Sequence, residues 1–299
     1  MSKELEFLIQ TIIGGLSTGS IYALIALGFV LIYKATDVLN FAQGELMMMG
    51  AFLSFTGIVY FKLSFIPAFL LALVFSAILG FFINVVAIRP MVGKPVFSIV
   101  MITIGLATIL RSIAGLIFGH IEKPFPSPFP LAQAAKIGGL YISLVHIWTI
   151  GVSIIFVILF YFFFKFSTIG IAMKATANEQ IASMLQGINI KRIFSLSWGI
   201  AAITATVAGI FLASASYIQC DMGFIGLRAF PAIILGGLDS VGGAVIGGFI
   251  IGLVENLAGS YLDKALGGGV KEITSYVIVI FIMMIRPYGL FGKEHIERV

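Results

Sequence analysis

The chain has 299 residues, 60% of them hydrophobic and only 10% charged, against about 25% charged in an ordinary soluble domain, so a water-exposed surface cannot be furnished and lipid is the expected solvent. The net charge of +5 comes from 18 basic residues scattered over short loops; with no continuous basic face, nucleic acid is excluded as a partner and the charges read as membrane orientation. The 34 glycines and 28 phenylalanines fit closely packed helices in a bilayer, while the single cysteine, Cys220, allows no intrachain disulfide or cysteine metal cluster and reads as a packing residue.

A spanning helix needs about 20 mostly apolar residues. In chain order that rule marks spans at 7–33, 38–61, 65–88, 95–118, 144–164, 193–217, 241–262 and 270–285. The first is expected to be retained, because the residues before it are mixed in charge and no small-residue cleavage site follows it. A ninth apolar piece, 224–238, is too short to cross comfortably. Pro231 and the Gly236-Gly237 pair weaken a regular helix there, so it reads as broken or re-entrant. The fold class is all-α: one transmembrane domain over 1–299, with about eight spanning helices plus a short broken one.

Orientation follows from the polar connections. Arg89 and Lys94 share one loop, Lys165, Lys174, Lys191 and Arg192 a second, and Lys293 and Arg298 the tail, which places all three in the cytoplasm. The loop 119–143 then faces outward. Its Pro124, Pro126, Pro128 and Pro130 alternate, a pattern for extended backbone; such a segment either docks an external partner or serves as a stiff connector. With the tail inside, counting the broken piece as a crossing puts the amino terminus outside.

Enzymatic motifs fail on context. Gly15, Ser17 and Gly19 match G-x-S-x-G but sit inside a helical apolar run, whereas a nucleophile elbow needs a strand before it. His120, His146 and His295 have no sequence reason to converge on Ser17. There is no H-E-x-x-H, no calcium loop and no P-loop: Gly93-Lys94-Pro95 and Gly292-Lys293-Glu294 lack the upstream glycine and the hydroxyl residue. The chain is expected to be no enzyme, to hold no metal and to bind no ATP.

Polar groups at membrane depth cost roughly 2.5 to 3.5 kcal/mol each on insertion scales and are functional candidates by default. Asn40, Gln43 and Glu45 cluster around Gly44 at the start of the second span. They either line a polar cavity on a broken helix or cap the helix at the interface. Arg111, in the fourth span, is expected to snorkel toward the outer surface. Asp239, Glu255 and Asn256 invite the same two readings. The segment 166–192 differs: Lys174, Asn178, Glu179 and Gln186 are polar, Ala175, Ala182 and Leu185 apolar at spacings of seven and three. That pattern predicts a short amphipathic helix ending at Gly187, docked into another protein or lying on the membrane.

Four blocks together resemble a known family over nearly the whole chain. They are 19–29 (GSIYALIALGF) running on to 40–46 (NFAQGEL); 170–175 (GIAMKA) with Asn178, Ala182 and Gly187; 229–240 (AFPAIILGGLDS) followed by 242–248 (GGAVIGG); and 286–292 (RPYGLFG). The chain is similar to the permease subunits of branched-chain amino acid ABC transporters, of the LivH type. The resemblance implies import of leucine, isoleucine and valine across a bacterial or archaeal cytoplasmic membrane. It implies as partners a second related permease, two cytoplasmic ATPases that hold ATP and magnesium, and an external substrate-binding protein. It assigns 166–192, with Lys174, Ala175, Asn178, Glu179, Ala182 and Gly187, to ATPase coupling. Asn40, Gln43, Gly44, Glu45, Gly236 and Gly237 are expected to border the substrate path. The family commonly has histidine at the position of Gln43 and arginine at that of Lys174, so a protonation role at Gln43 is excluded. Related permeases serve urea, short amides or sugars, and a self-sufficient channel or ion-coupled transporter is the rival class.

Overall fold

The computed structural model describes residues 3–36, 38–91, 94–128, 134–137 and 140–292; Gly93, Pro130, Lys293, His295 and Arg298, weighed above, lie outside them. The described residues form α1 (Lys3–Thr36), α2 (Gln43–Val59), α3 (Phe65–Ile83), α4 (Val96–Phe118), a two-stranded antiparallel hairpin β1 (Ala134–Ile137) and β2 (Leu140–Ser143), α5 (Leu144–Phe166), α6 (Thr168–Asn178), α7 (Gln180–Leu185), α8 (Ile190–Ala215), α9 (Met222–Leu227), α10 (Phe230–Gly236), α11 (Val241–Leu266) and α12 (Val270–Ile285). Among the described residues, six helices are long and apolar enough to cross a membrane; α2 and α12, at 17 and 16 residues, are shorter.

The centre is built from α1, α8 and α11, where small residues bring backbones into contact. A Cβ added to Gly19 on α1 would stand 2.8 Å from Phe249 Cα on α11, and one on Gly252 would strike Gly19 itself. This is the close approach that glycine permits between helices in lipid. On the other side of α8, a Cβ at Gly80 of α3 would meet the Trp198 carbonyl at 2.5 Å, and Ser195 Oγ donates to Asn84 Oδ1 at 2.8 Å. At the periphery the pattern inverts. Phe75 and Phe82 on α3, Leu116 on α4, Leu159 and Phe162 on α5 and Phe281 on α12 point outward, a surface suited to hydrocarbon and not to water.

Contacts fix the relative direction of the helices. Gln10 Nε2 donates to the Tyr141 carbonyl at 3.1 Å, so the start of α1 and the 119–143 segment share one end. At the other end Leu31 packs with Phe164, Met173 and Ile193. Asn84 beside Ser195 brings the Arg89 connection to that same end, and it therefore gathers Arg89, Lys94, Lys165, Lys174, Lys191 and Arg192.

Four features differ from the sequence expectation. The second helix begins at Gln43 and not at 38: residues 38–42 are non-helical although Val38, Asn40 and Ala42 are buried and Leu39 and Phe41 half-buried, because the side chain of Asn40 and the hydroxyl of Thr103 take over backbone bonding there. The single amphipathic helix expected in 166–192 is two, α6 and α7, separated by Glu179 in an extended conformation (φ −153°, ψ 101°). Gly187 does end this stretch, at φ +82°, a conformation glycine adopts without cost. The ninth apolar piece is a broken helix, but its break lies at Arg228-Ala229, and Pro231 opens α10 instead of weakening it. Finally, the hairpin was not expected. In the segment before it, mutual backbone bonds between Lys123 and Ile218 anchor the chain, and Ser127 N donates to the Phe125 carbonyl at 2.8 Å. Cys220 is buried, bonded to the Gly119 carbonyl at 3.2 Å, and burial pushes its thiol pKa up, as befits a packing residue.

Candidate functional site

The polar cluster at the start of α2 lies in the interior. Asn40, Gln43 and Glu45 are all at most 1% exposed, packed inside the protein. Asn40 accepts from the Ala42 amide at 3.0 Å and donates to Gln43 Oε1 at 3.3 Å. Gln43 in turn donates through Nε2 to the Ala201 carbonyl of α8 at 3.1 Å. The room for that amide is made on α1: a Cβ on Gly28 would collide with Gln43 Nε2 and lie 2.9 Å from Thr204 Oγ1. Unwound backbone at membrane depth is tolerated only where protein or a water-filled cavity covers it. Here Phe230, at the head of α10, stacks on Phe41 at 5.4 Å and meets Phe29 edge-on at 4.8 Å.

Glu45 forms an ion pair with Arg111 of α4. The guanidinium also lies over the Phe224 ring of α9, 3.7 Å from its centroid. Arg111 therefore does not snorkel outward as expected, because a carboxylate and an aromatic face within the bundle hold it better than a reach to the surface would. Helix α9 comes this close because three glycines remove the side chains in the way. The backbones of Gly44 and Gly223 touch, a Cβ on Gly226 would stand 2.5 Å from Gly44 Cα, and one on Gly223 would enter the Glu45 carboxylate.

Gly236 and Gly237 have different neighbours. Gly237, at φ +95°, ends α10. The carbonyls freed there are met by the 286–292 block: Leu290 N donates to Leu235 O at 2.8 Å and Phe291 N to Gly236 O at 3.2 Å, which satisfies groups every helix end leaves open. Gly236 packs on Gly243 of α11. Thus Asn40 to Glu45 lie together with α1, α4, α8 and α9, while the glycine pair belongs to the joint between α10, α11 and the 286–292 segment. The remaining suspects separate. Asp239 is exposed; Glu255 is buried and accepts from Tyr22 Oη at 2.8 Å; Asn256 reaches Thr18 at 3.4 Å. Ser17 is buried within α1, whose flanking Gly15 and Gly19 pack on α11.

On the segment 166–192, Lys174, Asn178, Glu179, Ala182 and Gly187 are exposed and Ala175 is half-buried. Helix α7 also presents Ile181, Met184 and Leu185, the last 84% exposed. The buried side is carried by Gly170, Met173, Thr176 and Ser183. Thr103, Arg111, Gly223 and Phe224 escaped the sequence reading as site residues. One signal pointed to Arg111: a lone arginine in an apolar span needs a counter-charge, as does the lone glutamate Glu45.

Spans interrupted by buried polar backbone are an arrangement in which membrane transport proteins build substrate paths. The sequence matches the family described as "Branched-chain amino acid transport system / permease component" over residues 11–286, and the chain belongs to that family. It is 30% identical, over the full length of both chains, to the high-affinity branched-chain amino acid transport system permease protein LivH of Salmonella typhimurium. It is 29% identical, over 99% of each, to the BraD permease protein of Pseudomonas aeruginosa, and 28% identical to a probable LivH of Methanocaldococcus jannaschii, covering 94% of this chain and 91% of that one. Among solved structures, PsaBC from Streptococcus pneumoniae in complex with Fab shares the fold, with a TM-score of 0.53 at 13% identity over 94% of this chain and 92% of that chain. The chain is an integral cytoplasmic-membrane transport permease.

Proposed function

We propose that this chain is the permease subunit of an ABC importer that carries leucine, isoleucine and valine into the cell, with ATP and magnesium bound by separate subunits. Membership of the family supports the substrate class. The observation that carries the mechanism is the unwound start of α2, where the buried Asn40, Gln43 and Glu45 cluster and the chain meets the broken α9–α10 element through Glu45 against Gly223 and Phe41 against Phe230. A zwitterion cannot cross hydrocarbon cheaply, and broken helices supply partial charges that bind it weakly enough for release.

In this reading the end bearing Arg89, Lys174 and Arg192 faces the cytoplasm, since basic residues collect there. The hairpin end then faces outward, toward a binding protein that delivers substrate, and the path is completed by a second, related permease. One of the two ATPases docks on α6 and α7, where Lys174, Ala175, Asn178, Glu179, Ala182 and Gly187 lie around the exposed apolar face of α7. Closure of the ATPases pushes this element, and packed helices carry the displacement to α2 and α9. Gly236 and Gly237, which tie α10 to the 286–292 segment, hold the broken element during that motion.

The test is uptake by vesicles containing the whole complex. Labelled leucine, isoleucine and valine should accumulate only with internal ATP and the binding protein. Uptake of urea or a short amide in their place, or solute movement through this chain alone without ATP, would overturn the reading.

A further inference from the structure

We propose that Arg111 receives the carboxylate of the transported amino acid, and that Glu45 is the positioning residue that presents its guanidinium to the path. The inference rests on the transport function proposed above and adds a recognition residue to it.

A guanidinium carries five N–H donors in a rigid fork matched to a carboxylate. Among the described residues, only the bond from Nη2 to Glu45 draws on that fork, and Nε is buried without a partner. A purely structural ion pair at this depth would be expected to spend its donors, because an unmet buried donor costs about 1 to 3 kcal/mol. Arg111 keeps donors in reserve. It is also held in place from two sides: Glu45 fixes one edge, and the Phe224 ring, 3.7 Å from the guanidinium carbon, fixes its plane.

Burial across the pair is uneven. The Glu45 side chain is 2% exposed, whereas that of Arg111 is 27% exposed. The open side of the pair is thus the cationic side. Arg111 stands on α4, only 22% of whose apolar window is buried within this chain. Lipid is a poor solvent for a charge at that depth, so the open side calls for protein or an aqueous path. Phe224, 52% exposed, continues the surface beside it. A ligand that satisfies this arrangement carries one carboxylate and an aliphatic side chain, the first for the unspent donors and the second for the Phe224 flank. Because Glu45 already neutralises much of the cation, the carboxylate is held weakly and can be passed on.

The experiment compares the wild-type complex, the double variant Glu45→Gln with Arg111→Gln, and Arg111→Lys, each in vesicles with the partner subunits, reading labelled leucine taken up per ATP hydrolysed. Removing both charges together leaves no uncompensated ion, so a pair that only clamps helices would keep the ratio. The ratio should fall at least tenfold in the double variant. It should fall several-fold in Arg111→Lys, which keeps the charge and the pairing but loses the fork. A ratio within twofold of wild type in either variant that assembles overturns the proposal, as does a wild-type ratio in Arg111→Lys when the double variant does not assemble. Wild-type vesicles that take up no leucine, isoleucine or valine would instead remove the transport reading on which it rests.

Discussion

Gly44 on α2 lies backbone to backbone against Gly223 on α9, and the Glu45 carboxylate fills the space where a side chain on Gly223 would go. A side chain at either glycine must push the two helices apart or displace the carboxylate from Arg111, since backbone cannot yield as a flexible side-chain tip does. Overpacking of a core typically costs about 1 to 3 kcal/mol. Gly44→Val and Gly223→Val should therefore each lower the thermal midpoint of the detergent-purified complex by several degrees and abolish leucine uptake. Unchanged melting in both would mean that α9 is not seated on α2.

The two ends of the bundle should label with opposite sidedness. In a Cys220→Ala background, a cysteine replacing the exposed Glu122 should react with an impermeant thiol reagent from outside intact cells, and one replacing the exposed Lys191 only after permeabilisation. Ser183 is buried and would be a silent reporter. The reverse pattern would invert the assigned topology.

Apolar exposure on α7 makes a graded prediction for coupling. Ile181, Met184 and Leu185 stand out from the bundle, and loss of a buried apolar anchor in an interface costs about 2 kcal/mol or more when the residue is a hot spot. Leu185→Asp and Ala182→Asp should leave the chain inserted at normal abundance while reducing ATPase co-purification and uptake about tenfold or more. Gly187→Val should act in the same direction through strain at φ +82°. Full co-purification of the ATPases with full uptake would place the docking surface elsewhere.

At the far joint, Gly237 is held at φ +95° with the Gly292 amide 2.5 Å from where its Cβ would be. Gly237→Leu should detach the 286–292 segment from α10, seen as faster proteolysis near the carboxyl end and a matching loss of transport. Protection equal to wild type would show that the joint tolerates a side chain.

Much of this architecture was legible in the sequence because hydropathy alone decides which segments can lie in lipid. The start of α2 was not, for Val38, Leu39, Phe41 and Ala42 are as apolar as a span. Only the bonds of Asn40 and Thr103 reveal that the backbone there is unwound. The break between α6 and α7 likewise carries no glycine or proline to announce it. Gly138-Gly139, by contrast, is a hairpin signal present in the sequence, within the 119–143 segment that the prolines mark as an extended outward loop. The polarity of Asn40, Gln43 and Glu45 marked the cluster. Its partners on α4, α8 and α9 required the fold, since ion pairing across 66 residues leaves no local periodicity to read.

The ion pair also imposes an order on biosynthesis. Glu45 emerges from the ribosome 66 residues before the arginine that neutralises it, on a helix of only 17 residues. Released alone into hydrocarbon, α2 would carry an uncompensated carboxylate costing about 2.5 to 3.5 kcal/mol on insertion scales. Its stable partition therefore waits for α4, so that α2, α3 and α4 leave the insertion machinery as a group. A chain truncated before Arg111 should hold α2 incompletely in the bilayer, and one extended just past it should not.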